Sequence, residues 1–246
     1  MSELPINQIV IGDCREVMTG FPRESVGLII TSPPYNVGLN YEGFDDNLQE
    51  DEFVQFNYEW LSQAYQIAKD TTRLYAVIGD KMLWFFREQA EKAGWDYVQK
   101  LTWCKPNFVG RKISGDWNYM SEDILLFRKG KRTPMLSNFE NGVTTHNWFV
   151  EAVPQSNFKE GRIHPAQMPL RMCKKLIART PGEPILDPFV GSGQVLRASR
   201  AYGRAFVGIE LVPAVAERAR KFIGLPNKSV QPTGGTVRQS ELFENE

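Results

Sequence analysis

Ser32 and Tyr35 stand three residues apart with Pro33 and Pro34 between them, directly after the apolar run Val26 to Ile30 and Thr31. Pro34 has no N–H and fixes its own φ, and it pushes Pro33 into an extended conformation. A strand that leaves a sheet through such a turn holds the Ser32 hydroxyl and the Tyr35 ring at defined positions. That pair suits a planar ligand. The ring stacks on its face, while the hydroxyl and a proline carbonyl accept hydrogen bonds from its edge. A base with an exocyclic amine, lifted out of a nucleic acid, meets both conditions. The plain alternative is a Pro-Pro turn at a strand end.

A second segment adds to this. Ile185-Leu186-Asp187-Pro188-Phe189-Val190-Gly191-Ser192-Gly193 is a short apolar run that opens into a glycine turn, and a helical pattern through Val195, Leu196, Ala198 and Ser199 follows. Strand, Gly-X-Gly, helix is an arrangement in which backbone approaches a nucleotide-like cofactor closely. A dinucleotide fingerprint would place a third glycine where Leu196 stands, which counts against a nicotinamide or flavin cofactor. The next run, Ala205 to Ile209, ends in Glu210, an acidic residue placed to accept hydrogen bonds from ribose hydroxyls.

The two motifs together resemble those of amino-group DNA methyltransferases, which use S-adenosylmethionine. The catalytic motif (31 to 35) precedes the cofactor motif (187 to 193), which resembles the circularly permuted β class. Supporting pieces fall in place at Gly12-Asp13-Cys14, Trp103-Cys104-Lys105-Pro106-Asn107, Glu122 to Phe127 and His164-Pro165-Ala166-Gln167-Met168-Pro169, so the resemblance spans most of Ile9 to Leu225. The family more often has Lys at Met168 and Thr at Gln194. The resemblance implies an α/β fold: a seven-stranded, mostly parallel Rossmann-like methyltransferase sheet with helices on both faces. It implies that Phe189 lines the cofactor pocket and that Gly191 and Gly193 admit the cofactor. Asp187 would face the methionine ammonium, Glu210 the ribose, and Asp13 the adenine or its amine. For Asp13 and Asp187 the alternative is turn capping at strand ends. Double-stranded DNA is the implied partner, with a cognate restriction endonuclease and a homodimer as further candidates.

The elements that must position these residues follow from periodicity. Strands are expected at Gln8 to Gly12, Val26 to Thr31, Leu74 to Ile78, Tyr97 to Trp103, Glu122 to Phe127, residues 184–187 and Ala205 to Ile209. Helices are expected from Arg15 to Gly20, Asp51 to about Ala68, Lys81 to Ala93, Pro165 to Arg179 and Pro213 to Ile223. Phe53, Phe56, Trp60, Leu61, Ala64 and Ile67 form one apolar side of the second helix and read as core. Strands alternating with helices imply a mainly parallel sheet, and ligands then bind outside the carboxyl ends of its strands. Asp13, Ser32, Asp187 and Glu210 all fall at such ends. Val37 to Glu50 reads as a mobile loop, and Gly224 to Glu246 as a disordered tail. The methyltransferase domain is expected over 1–225, with target-recognition insertions within 107–161.

The length of 246 residues suits one such domain. No apolar stretch reaches the ~20 residues of a membrane span, and the N-terminus lacks a signal-peptide pattern. Cys14, Cys104 and Cys173 give neither zinc spacing nor a disulfide framework, so a cytoplasmic setting without metal is expected. None follows a proline, unlike the nucleophile of cytosine C5 methyltransferases. Net charge is zero, yet residues 100–175 carry 13 basic and 6 acidic side chains. Arg111, Lys112, Lys129, Lys131 and Arg132 are the candidate DNA contacts, interleaved with aromatics such as Trp117 and Trp148. The alternative is a solvated surface.

The expected chemistry needs no covalent intermediate. Hydrogen bonds from both N–H groups to Ser32 and the Pro33 carbonyl would hold the amine nitrogen closer to tetrahedral, its lone pair free for a methyl group. Within the resembled family Ser at this position is commoner for cytosine N4 and Asp for adenine N6, so cytosine N4 is expected and adenine N6 is the alternative. A non-catalytic nucleic-acid-binding module of the same fold is the competing class, and intact Ser32, Tyr35, Gly191, Gly193 and Glu210 argue against it. Ser32 lacks the Gly-X-Ser-X-Gly setting of a hydrolase nucleophile.

Overall fold

In a computed structural model of the chain, the described residues are 3–38, 47–107, 115, 117–136, 146–157, 161–164 and 166–225. They form an eight-stranded sheet in the order β1-β8-β7-β2-β3-β5-β4-β6. The strands are β1 (Gln8–Ile11), β2 (Val26–Thr31), β3 (Ala68–Ile78), β4 (Asp96–Cys104), β5 (Ser121–Arg128), β6 (Trp148–Val150), β7 (Ile185–Asp187) and β8 (Phe206–Glu210). Only β5 runs against its neighbours β3 and β4. The seven expected strands are all present. The eighth, β6, is a three-residue parallel addition beside β4, too short to show a period in a segment read as irregular.

Helices α1 (Cys14–Thr19), α2 (Glu50–Ile67) and α3 (Leu83–Lys92) pack on one face, and α4 (Leu170–Arg179), α5 (Gln194–Ala201) and α6 (Pro213–Ile223) on the other. The strands divide their side chains accordingly. Leu74, Ala76 and Ile78 face the first group, while Tyr75 and Val77 face the second. Every residue of β2 is buried, as a central strand covered on both faces requires. The aromatic stripe of α2 is core as expected: Phe53, Phe56, Trp60, Leu61, Ala64 and Ile67 are all buried. Glu52 reaches back to the Gln49 N–H at 3.2 Å and closes the start of that helix.

The expected helix from Pro165 begins only at Leu170, because Pro169 sits at its N-cap. A helix running through Pro169 would lose a backbone hydrogen bond and drive the ring against the preceding turn. Gly27 explains how β7 lies so close to β2. A Cβ there would fall within 2.7 Å of the Glu183 carbonyl oxygen, so the segment entering β7 rests directly on the β2 backbone. The expected tail beyond 225, most of the expected mobile loop, and Arg111 and Lys112 lie outside the described residues.

Candidate active site at the carboxyl ends of the central strands

From β2 the sheet continues to β3 on one side and to β7, β8 and β1 on the other. The two motif-bearing strands, 156 residues apart in sequence, are therefore neighbours at the point where the connections change direction. Leu28 pairs with Ile185 and Ile29 with Leu186, so both strands end together. Thr31 donates to Asp187 Oδ1 at 2.8 Å and ties the two ends. Asp187 also accepts from the Phe189 N–H at 3.1 Å. Its carboxyl is fully buried, and burial pushes its pKa up to about 7, with nearby Glu210 adding to the rise against the two hydrogen bonds. Asp187 Oδ2 has no hydrogen-bond partner among the described residues.

Glu210 does more than the sequence suggested. Its carboxylate accepts from the Gly191 N–H at 2.9 Å and from the Val212 N–H at 3.1 Å. The residue at the tip of β8 therefore shapes the glycine turn that follows β7, while burial raises its pKa. Gly191 and Gly193 both adopt left-handed backbone, with φ of 49° and 80°. That conformation favours glycine. The His164 ring packs beside Gly191, 3.5 Å from where a Cβ would sit. Burial, then Arg218 and Arg162, push the His164 pKa down to about 4, so it is a neutral packing group at neutral pH. Phe189 turns its ring into the α2 face, 5.3 Å edge-on from Trp60 and 6.0 Å from Phe56.

Asp13 lies at the end of β1 as expected, but its carboxylate is engaged. It caps α1 through the Arg15 N–H at 2.8 Å and pairs with the Arg15 guanidinium at 2.7 Å. The turn-capping alternative therefore describes Asp13, and Arg15 in turn reaches Glu59 at 2.7 Å.

At the other motif, the Tyr35 hydroxyl lies 3.2 Å from Ser32 Oγ and 3.0 Å from Glu122 Oε2. A phenol has one proton, and a carboxylate is its stronger acceptor. Tyr35 thus donates to Glu122, and Ser32 donates to Tyr35. The Ser32 lone pairs remain available to a ligand's N–H. Lys105, at the end of β4, forms an ion pair with Glu122 on β5 and fixes that carboxylate. Gly79 admits the Tyr35 ring: a Cβ there would sit 3.2 Å from it. Asn36 clamps Leu48 through two hydrogen bonds, 2.7 and 2.8 Å, and pins the chain that leaves the turn. Glu122 and Lys105 were legible as parts of strands but not as partners of Tyr35.

The basic residues after β5 do not join this edge. Because β5 is antiparallel, its carboxyl end lies at the opposite edge of the sheet, and Lys129, Lys131 and Arg132 go with it. Lys129 is committed there to the end of α2. It donates to the Tyr65 and Ala68 carbonyls, both at 2.8 Å, with its ammonium 4.5 Å over the Tyr65 ring. The three candidate DNA contacts after β5 therefore stand at the edge of the sheet opposite Ser32.

A strand-end site of this build, on a mostly parallel sheet with permuted motifs, defines a nucleotide-cofactor enzyme of the methyltransferase fold. The family model for DNA methylase, the N6/N4 group, matches residues 26–221, and the chain belongs to that family of S-adenosylmethionine-dependent amino-methyltransferases. It is 26% identical over 230 residues to the DNA adenine methyltransferase YhdJ of Escherichia coli K12, covering 82% of this chain and 78% of that protein. The fold is similar to that of the M1.HpyAVI–SAM complex, at TM-score 0.69 and 22% identity over 89% of this chain and 99% of that one. It is also similar to the cytosine-N4-specific PvuII DNA methyltransferase, at TM-score 0.73 and 18% identity over 90% and 87% of the two chains. No helix among the described residues is long and apolar enough to cross a membrane.

Proposed function

We propose that the protein methylates the exocyclic N4 amine of a cytosine swung out of double-stranded DNA. The observation that carries this reading is the hydrogen-bonded line from Ser32 through Tyr35 to Glu122, held by Lys105 at the end of the central strands. S-adenosylmethionine fits the neighbouring strand ends: the buried, unpartnered Asp187 Oδ2 suits an ammonium, and the left-handed Gly191 and Gly193 leave the turn open. Asp187 and the turn would hold its methionine end, Glu210 its ribose, and Phe189 the wall of its pocket. When bound it supplies an electrophilic methyl group.

The chain's own residues orient the amine and take its proton. Ser32 Oγ accepts one amine N–H and the Pro33 carbonyl the other, which draws the nitrogen lone pair out of conjugation. The proton lost from the methylated nitrogen passes to Ser32 Oγ, the Ser32 proton to the Tyr35 oxygen, and the Tyr35 proton to Glu122. Ser32 is the feature that favours cytosine. The second reading, adenine N6, is supported by the likeness to an enzyme named as a DNA adenine methyltransferase. Mass spectrometry of nucleosides from DNA treated with the purified protein and cofactor decides between them. N4-methylcytosine supports the first reading and N6-methyladenine the second, while 5-methylcytosine or no methylated nucleoside overturns both.

A further inference from the structure

A cleft of about 490 Å³ lies between α4 and the face of β3, β5 and β4. It is on the far edge of the sheet from Ser32. Arg73 pairs in register with Arg128, whereas Ile78 pairs with Asp123 nearer the catalytic edge, so the arginine pair sits roughly 17 Å down the strands. Arg73, Arg128, Arg132 and Arg179 all line the cleft, and no Asp or Glu lines it among the described residues. Like charges directly opposite on neighbouring strands are destabilising unless something compensates them. The compensation on hand is thin. Arg73, only 6% exposed, is held by the Thr133 hydroxyl and carbonyl, which are neutral. Asp96 approaches Arg128 no closer than 3.7 Å from a side chain that is 61% exposed. Arg128 Nε is buried without a hydrogen-bond partner among the described residues. Burial, and then the charges of Arg128, Arg132 and Arg179, pull the Arg73 pKa down against an opposing rise from Tyr75, the direction expected of a cation among other cations.

The strap that forms one wall is firmly placed. Leu136 N–H donates to the Arg179 carbonyl at 2.8 Å, and Arg73 holds Thr133, so Arg132 is carried at the mouth by a segment fixed to both α4 and β3. Guanidinium forks match phosphate oxygens in pairs and are weakly hydrated, so an arginine cluster selects that group above a halide. The volume falls in the range of small-molecule sites, and Phe149 and His146 add flat walls for a planar group. We propose that this cleft is a second ligand site, binding a phosphate-bearing molecule of about mononucleotide size. The site is separate from the methyl-transfer edge and does not depend on the reading of that edge.

The test uses the full chain and three probes at matched ionic strength: inorganic phosphate, adenosine 5′-monophosphate and a short DNA duplex. Phosphate and the mononucleotide should raise the melting temperature above that in chloride, because a ligand of the folded state stabilises it by mass action. In Arg128→Gln/Arg132→Gln that rise should vanish and mononucleotide affinity by calorimetry should fall at least about tenfold, the scale of losing charged hydrogen bonds. Binding of S-adenosylmethionine should be unchanged. Arg132→Gln alone alters an exposed side chain, so it keeps the test valid should the double variant fold poorly. A response to duplex DNA alone, lost in the variants, would identify the phosphate as one of the DNA backbone. No phosphate-specific stabilisation with any probe, or a rise that survives in both variants, overturns the proposal.

Discussion

Thr31 Oγ1 donates to Asp187 Oδ1 across 2.8 Å and joins the last residues of the two central strands. The bond couples the turn proposed to hold the target amine to the carboxyl proposed to hold the cofactor. It also leaves Asp187 poised to titrate near neutrality, at about 7, because burial outweighs the two hydrogen bonds it accepts.

The pH dependence follows. A carboxyl whose folded pKa is raised stabilises the apo-protein below its unfolded value near 4, and that contribution is lost as pH rises through about 7. Pairing with an ammonium requires the ionised form, so S-adenosylmethionine affinity should climb between pH 6 and 8. Calorimetry across that range should show the climb in the wild type and a flat, weak profile in Asp187→Asn. Thr31→Val removes a bond that lowers the pKa, so its midpoint should move up. A wild-type affinity independent of pH would remove Asp187 from the ammonium site.

Lys129, a candidate DNA contact in the sequence, has its ammonium bonded to carbonyls at the end of α2. Lys129→Ala deletes two hydrogen bonds and a cation–π contact at a partly exposed position, a loss of about 1–2 kcal/mol, or a fall of a few degrees in melting temperature. The salt dependence of DNA binding should be unaltered. A flatter salt slope with unchanged melting would restore the phosphate-contact role.

Gly27 should tolerate no side chain. Its Cβ would press on the backbone of Glu183, which cannot swing away as a flexible side chain can. Gly27→Ala should cost more than about 3 kcal/mol or prevent folding, by pushing β7 off β2. Denaturant melts showing wild-type stability would mean that the two strands are not so closely packed.

What the sequence revealed and what it hid divide along physical lines. Periodicity found the aromatic side of α2 and the six longer strands, and the apolar run before the glycine turn marked the three-residue β7. It missed β6, whose three residues hold no repeat and precede no such turn. Charge counting found the basic excess in residues 100–175 but not where it goes, since the reversed direction of β5 is a property of pairing and not of composition. The strand-end acids were visible, yet their partners were not. Glu210 bonds to Gly191 and Asp13 to Arg15 by side-chain geometry that only the fold defines. Glu122 stood at the start of an apolar strand and gave no sign of facing Tyr35.

The Ser32–Tyr35–Glu122 line yields the sharpest functional prediction. If Tyr35 worked by ring stacking alone, Tyr35→Phe would be silent. The hydroxyl, however, joins Ser32 to Glu122, so the substitution breaks the line while keeping the ring against Gly79. Single-turnover methylation in Tyr35→Phe should slow by roughly ten- to a hundredfold, the equivalent of ~1–3 kcal/mol for one hydrogen bond to a charged group. Ser32→Ala should slow it by a similar factor, because the Pro33 carbonyl still takes one N–H. Glu122→Gln keeps an acceptor for Tyr35 but is a poor proton sink, and it loses the charge that pairs with Lys105. It should lower the rate most at neutral pH while leaving S-adenosylmethionine affinity intact. Because the three residues act in one line, the Ser32→Ala/Tyr35→Phe double variant should be little worse than either alone. Fully multiplicative losses in that cycle, or a Tyr35→Phe enzyme at wild-type rate, would show that the hydroxyls act separately and that the proton leaves by another route.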